Sequence, residues 1–166
     1  MSHFILYNAP KTASTPSGHT WWRINIETTR FFDGIFASIQ EIEFRAELDG
    51  PSVTTGGTAF ADTAVSPGLD NYSAYAAFDG VTTGDTESFW TMPSTSPQPC
   101  SIGYEFASPV DIVQVSLFSG ASSTRAARMP RNFTLDWSDD GVSWTTAMTV
   151  VDAPAFGVYQ EQVFTV

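Results

Sequence analysis

Two histidines, His3 and His19, and one cysteine, Cys100, are the base and thiol chemistry that this sequence offers. A Ser-His-Asp or Cys-His arrangement needs an imidazole held beside its nucleophile. Both histidines fall in residues 1–19, a stretch of Thr, Ser, Pro and Gly that reads as an extended arm outside the core. One cysteine closes no intramolecular disulfide, and a zinc site asks for more His or Cys than the chain holds. Glycoside hydrolysis needs only two carboxylates in a cleft, and 18 acidic residues supply the carboxylates. A small domain of short strands, however, builds a shallow loop surface rather than a cleft. The carboxylates of Asp139-Asp140-Gly141 are most simply a hairpin turn. The expectation is a protein that is not an enzyme.

Charge and length narrow the class further. The chain has 166 residues, 18 acidic against 7 basic, and a net charge of −11. Phosphate binding needs a basic face, so nucleic acid is not an expected partner. An acidic surface also repels anionic membranes. No run approaches the roughly 18 apolar residues of a spanning helix, so no membrane insertion is expected. The opening residues lack the basic start and the apolar run of a signal peptide. Synthesis in a cytosol is expected, with release, if any, by a route such as lysis that needs no signal.

The elements that must position any site are strands. Hydrophobic residues make up 42% and charged residues only 15%, with Ser, Thr, Gly and Pro filling the gap, which suits short strands and turns. Trp22-Arg23-Ile24-Asn25-Ile26 alternates apolar and polar with a period of two. Further strands are expected over residues 38–46, 58–63, 101–106, 113–117, 133–137, 143–150 and 159–166. No segment beyond a single turn has helical spacing. The fold expected is an all-β antiparallel sandwich or barrel, with residues 1–19 as an arm and 20–166 as one domain. Three long loops, 65–73, 91–99 and 119–130, are either binding surfaces or merely variable connections.

Several segments resemble one family. Ala77-Phe78-Asp79-Gly80, followed by threonines and Trp90, resembles the AFDG…T…W signature of discoidin (coagulation factor type C) domains. Ser101-Ile102-Gly103-Tyr104-Glu105-Phe106 with Pro109, and Pro130-Arg131-Asn132-Phe133 through Trp137-Ser138-Asp139-Asp140-Gly141-Val142-Ser143-Trp144, resemble its later strands. The motifs cover roughly residues 57–150. Trp21-Trp22-Arg23-Ile24 and Ser38-Ile39-Gln40-Glu41-Ile42-Glu43-Phe44 resemble the family's closing strands, yet here they come first. The chain therefore looks like a circular permutant, tolerable where the ends of a sandwich lie close together. The fold so implied is a galactose-binding-like jelly roll, and permuted forms of this kind are similar to modules of bacteriophage tail and virion proteins.

The resemblance also implies sites. Family members often bind structural Ca²⁺, and the matching positions are Asp79, Thr83 or Thr86, the carbonyls around Phe78, and Glu41. Asp85 lies in a lengthened stretch and is an alternative ligand. Calcium takes six to eight hard oxygens and tolerates a flexible loop, about as such a turn provides. The other reading makes Asp79-Gly80 only a turn and Glu41 a solvated strand residue. In sugar-binding relatives one end of the sandwich presents an aromatic platform among polar side chains. Here the corresponding loops offer Asp70, Asn71, Tyr72 and Tyr75, with Arg125, Arg128 and Gln98. Tyr72 is either a stacking ring or loop packing, and Arg128 with Arg131 either binds or bridges strands. Among the tryptophans, Trp22, Trp90, Trp137 and Trp144 read as core, while Trp21 has the opposite pleat to Trp22 and reads as exposed.

Two functions follow as expectations. One is a carbohydrate or receptor-binding module of a phage particle, made in the host cytoplasm, that recognises a host cell-surface glycan, with several copies supplying avidity. The alternative is a structural virion protein, a decoration, adaptor or tail-assembly component, docking on other virion proteins through residues 1–19 with its Phe4-Ile5-Leu6-Tyr7 patch.

Overall fold

The computed structural model describes residues 18–31, 36–62, 72–84, 88–92 and 98–166. Ten strands fall among them: β1 (His19–Thr29), β2 (Ser38–Ile39), β3 (Glu41–Arg45), β4 (Thr58–Ala61), β5 (Trp90–Thr91), β6 (Cys100–Val110), β7 (Gln114–Phe118), β8 (Pro130–Ser138), β9 (Thr145–Val150) and β10 (Glu161–Thr165). A 3-10 turn, Ala74–Ala77, and one short helix, α1 (Ser123–Ala127), complete the elements. The architecture is an all-β, jelly-roll-like sandwich. One sheet has five strands in the order β4-β6-β1-β8-β9, the second has three in the order β10-β7-β3, and β2 pairs with β5.

Alternation in sequence becomes the core in space. Trp22, Ile24 and Ile26 of β1 stand opposite Trp137, Leu135 and Phe133 of β8 and Tyr104, Ile102 and Cys100 of β6. The three-stranded sheet answers with Ile42 and Phe44 beside Leu117 and Val115. Phe133 meets Phe164 edge-on at 5.1 Å across the sandwich. Trp22, Phe44, Phe133 and the core isoleucines are almost fully removed from solvent; each such aliphatic or Phe side chain contributes about 1.5–3 kcal/mol.

The connections explain where strands stop. At the β8–β9 turn the Ser138 hydroxyl accepts the N–H groups of Asp140 and Gly141 at 3.2 and 3.0 Å. Asp140 Oδ1 accepts those of Val142 and Ser143 at 2.8 and 2.7 Å. Gly141 has φ +70°, which a side chain disfavours. Residues 38–46 are not one strand, because Gln40 interrupts them between β2 and β3. Its side-chain amide turns away to donate to the carbonyls of Val81 at 3.3 Å and Ser88 at 2.6 Å. Within 119–130 the chain forms α1, capped by the Ser122 hydroxyl accepting the Arg125 N–H at 3.3 Å.

His19 corrects the expectation that both histidines lie outside the sandwich. It opens β1 opposite Val110, its ring stacks on Trp137 at 3.4 Å, and its Nδ1 lies 3.0 Å from Asp139 Oδ1. The polar composition before it conceals the strand, since main-chain pairing, ring contacts with Trp137 and Trp22 and the Asp139 carboxylate hold His19 rather than any apolar period. His3 lies outside the described residues.

Candidate functional site

Two features of one loop end come together through Asp79. Asp79 follows the 3-10 turn, and its Oδ1 accepts the Val81 N–H at 2.9 Å. Oδ2 accepts the Ser88 hydroxyl at 2.7 Å. That bond ties the turn at 79–81 to residues 88–89, just before β5. Gln40 reinforces the tie through its bonds to the carbonyls of Val81 and Ser88. Its Oε1 is buried and has no hydrogen-bond partner among the described residues.

Glu41, the first residue of β3, sits beside Asp79. Only 2% of Glu41 is exposed, and its Oε2 accepts the Gly80 N–H at 3.2 Å. Burial pushes its carboxyl up from the usual 4.5 to about 8; the Asp79 charge adds to the rise and the Gly80 N–H opposes it. An open cavity of about 230 Å³ borders both carboxylates and is lined also by Glu43, Ser52, Thr54 and Thr55. Arg45 neutralises Glu43 at 2.6 Å and Glu161 at 2.9 Å. Among the described residues no Lys or Arg forms an ion pair with Glu41. The carboxyl groups of Glu41 and Asp79 and the hydroxyl residues lining the cavity are hard-oxygen donors, the chemistry of Ca²⁺ or Mg²⁺ rather than of a soft metal. Among the described residues no group of three or more His, Cys, Asp or Glu side chains forms a metal cluster.

The aromatic half of the loop end is built on Phe89. This ring is 6% exposed and Tyr72 meets it edge-on at 4.9 Å. On the same ring lies the Arg125 guanidinium, 3.8 Å from the centroid. Tyr72 and Arg125 are each half-buried, so both are partly packed and partly presented. The Arg125 side chain also lies against Gly120, next to the Gln40 amide.

The other residues singled out from the sequence are placed differently. Arg128 lies three positions after Arg125 but turns to Phe36 at 4.4 Å and Phe31 at 4.9 Å. Arg131 pairs with Asp152 at 2.9 Å. Tyr75 projects from the 3-10 turn with 69% exposure. Gln98 donates to the Thr29 hydroxyl at 3.5 Å, at the far end of β1. Thr83 is exposed. Asp70, Asn71, Asp85 and Thr86 lie outside the described residues.

Sequence reasoning passed over Phe89, Ser88 and Gln40. The one available signal was Gln40, a long amide between Ile39 and Glu41 in a strand-like run. Among the tryptophans, Trp22 and Trp90 are buried, while Trp137 and Trp144 are only half-buried. Trp21 is half-buried too, because Phe60 packs on it at 5.2 Å. Comparison with protein-family models, curated proteins and solved structures finds no match to this chain.

Proposed function

We propose that this chain is a non-enzymatic carbohydrate-binding module that recognises a cell-surface glycan through its loop end, braced by a calcium ion. The observation that carries the reading is the meeting of Tyr72 and Arg125 on the single ring of Phe89. A tyrosine ring can stack on the apolar face of a pyranose, and a guanidinium beside it donates to hydroxyls. Phe89 holds both in place, so little side-chain freedom is lost on binding.

Calcium is supported by the donor set around Glu41 and Asp79. Bound there, the ion would neutralise two carboxylates and draw the 79–81 turn to β3. Glu41 and Asp79 are the side-chain ligands assigned, with carbonyls near Phe78 and with Thr83, Asp85 or Thr86 completing the shell. The setting assigned is a phage particle made in a host cytoplasm, present in multiple copies; its support is the permuted order of the discoidin-like motifs.

A structural virion role has one observation in its favour. β10 is an edge strand, and Val158, Val163 and Val166 near it are 48%, 44% and 48% exposed.

The test is a glycan array probed with purified chain, with and without EDTA, alongside Tyr72→Ala and Arg125→Ala. Saturable binding that weakens in both variants is expected. Absence of binding to every glycan by a folded chain overturns the sugar reading and leaves the assembly role.

A further inference from the structure

The outer face of the five-stranded sheet carries aromatic side chains that the core does not use. One register row runs across it from Phe60 through Gly103, Arg23 and Asp136 to Thr146. The next row holds Thr58, Glu105, Trp21 and Ser138. Phe60 touches Trp21 at 5.2 Å and Trp144 at 6.0 Å, which gathers three rings over Gly103. There is no room there for a side chain, because a Cβ on Gly103 would come within 2.5 Å of Phe60 Cζ.

Trp144 is the best-supported ring. The Arg23 guanidinium lies 4.0 Å from its centroid, and Arg23 is itself held by Asp136 at 3.1 Å. Asp136 is further fixed by the Thr146 hydroxyl at 2.9 Å. Trp144 is half-buried, so part of its ring stays open to solvent beside this contact. Trp22 uses its indole N–H on the carbonyls of Val110 and His19 at 3.0 and 3.3 Å.

We propose that this face is a second saccharide-binding surface, with Trp144 as its stacking platform and a neutral glycan as its ligand. Size, pattern and charge each favour that occupant. The three rings gather into one compact platform over Gly103 rather than spreading along the sheet, a footprint suited to a sugar ring. A single ring face bordered by hydrogen-bonding groups matches a pyranose, which is apolar on one side and hydroxylated around its edge. Asn25 and Thr134 stand one row away on one side, Thr58 and Glu105 on the other. The net charge of −11 and the presence of Glu105 disfavour acidic sugars, and the Arg23 charge is already answered by Asp136. The surface is separate from the loop end and does not depend on it.

The test reads the indole N–H resonances of the five tryptophans by heteronuclear NMR, assigned with single Trp→Phe variants. Probes are neutral gluco-, galacto- and manno-oligosaccharides, an acidic oligogalacturonate and a proline-rich peptide. The expected result is a saturable shift of the Trp144 and Trp21 signals with a neutral oligosaccharide. Trp144→Ala should weaken that binding about tenfold, the worth of a stacked ring and its buried area, while Tyr72→Ala leaves it unchanged. If Trp144→Ala unfolds, Trp144→Phe, which keeps a ring over Arg23, takes its place with a smaller loss. Absence of a shift with every neutral oligosaccharide overturns the proposal, as does a shift only with the acidic sugar or the peptide. Binding lost in Tyr72→Ala and kept in Trp144→Ala also overturns it, and in that case upholds the loop end alone.

Discussion

Ser88 donates its hydroxyl to the Asp79 carboxylate at 2.7 Å, and this bond joins the acidic and aromatic halves of the loop end. Asp79 faces Glu41 on one side, while the residue after Ser88 is Phe89, on which Tyr72 and Arg125 rest. A change at the carboxylates is therefore mechanically connected to the rings through one covalent step and one hydrogen bond.

Calcium should stabilise the protein through these carboxylates. In differential scanning fluorimetry, saturating CaCl₂ at about 100 times its Kd would add about 2.7 kcal/mol over EDTA, a rise of roughly 5–10 °C for a chain of this size. Asp79→Asn and Glu41→Gln should each remove most of that rise. An equal rise in both variants would place the ion elsewhere.

Without calcium, stability should fall as the solution becomes more alkaline. Glu41 holds its proton to about pH 8 in the folded chain, against the usual 4.5. Between those values the folded state binds more protons than the unfolded state, so the slope of stability with pH is negative. The contribution is complete below pH 4.5 and is lost as pH rises through about 8. Urea midpoints measured in EDTA across this range should show the decline in wild type and a flatter profile in Glu41→Gln. Calcium should oppose the decline, because it binds the ionised carboxylate.

Arg125 and Arg128 should separate cleanly on substitution. Arg128→Ala removes contacts with Phe31 and Phe36 and should cost about 1 kcal/mol in a urea titration, with glycan binding intact. Arg125→Ala should weaken glycan binding at least as much as it lowers stability. Identical effects from the two would argue against a role for Arg125 in recognition.

Gly103→Ala should destabilise through crowding. The added methyl would collide with the Trp22 carbonyl and approach Phe60 Cζ to 2.5 Å. Overpacking of this kind costs about 1–3 kcal/mol, so the melting temperature should drop by roughly 2–12 °C. The Trp21 and Trp144 fluorescence should change with it, because Phe60 must move. An unchanged melting temperature would mean that the β4 edge yields freely.

Period-two alternation in Trp22-Arg23-Ile24-Asn25-Ile26 was sufficient to assign both a strand and its buried face, because side chains alternate sides regardless of what lies beyond. The Ser138-Asp139-Asp140-Gly141 turn was equally legible, since its bonds run between residues two or three positions apart. Glu41 and Asp79 were paired only through a family resemblance; their separation of 38 positions carries no local signal.

Tertiary structure alone decided the rest. Tyr72, Phe89 and Arg125 come from three segments and meet only after the loops close over one end of the sandwich. The single turn of α1 sends Arg125 to Phe89 and the following Arg128 to Phe36, although both looked equivalent as a basic pair. Trp144 looked like core, yet packing against Arg23 on the outer face makes it half-exposed. Local sequence determines which way a side chain points from its own strand. Which neighbours it meets depends on strand order and register, and these are set by the whole chain at once.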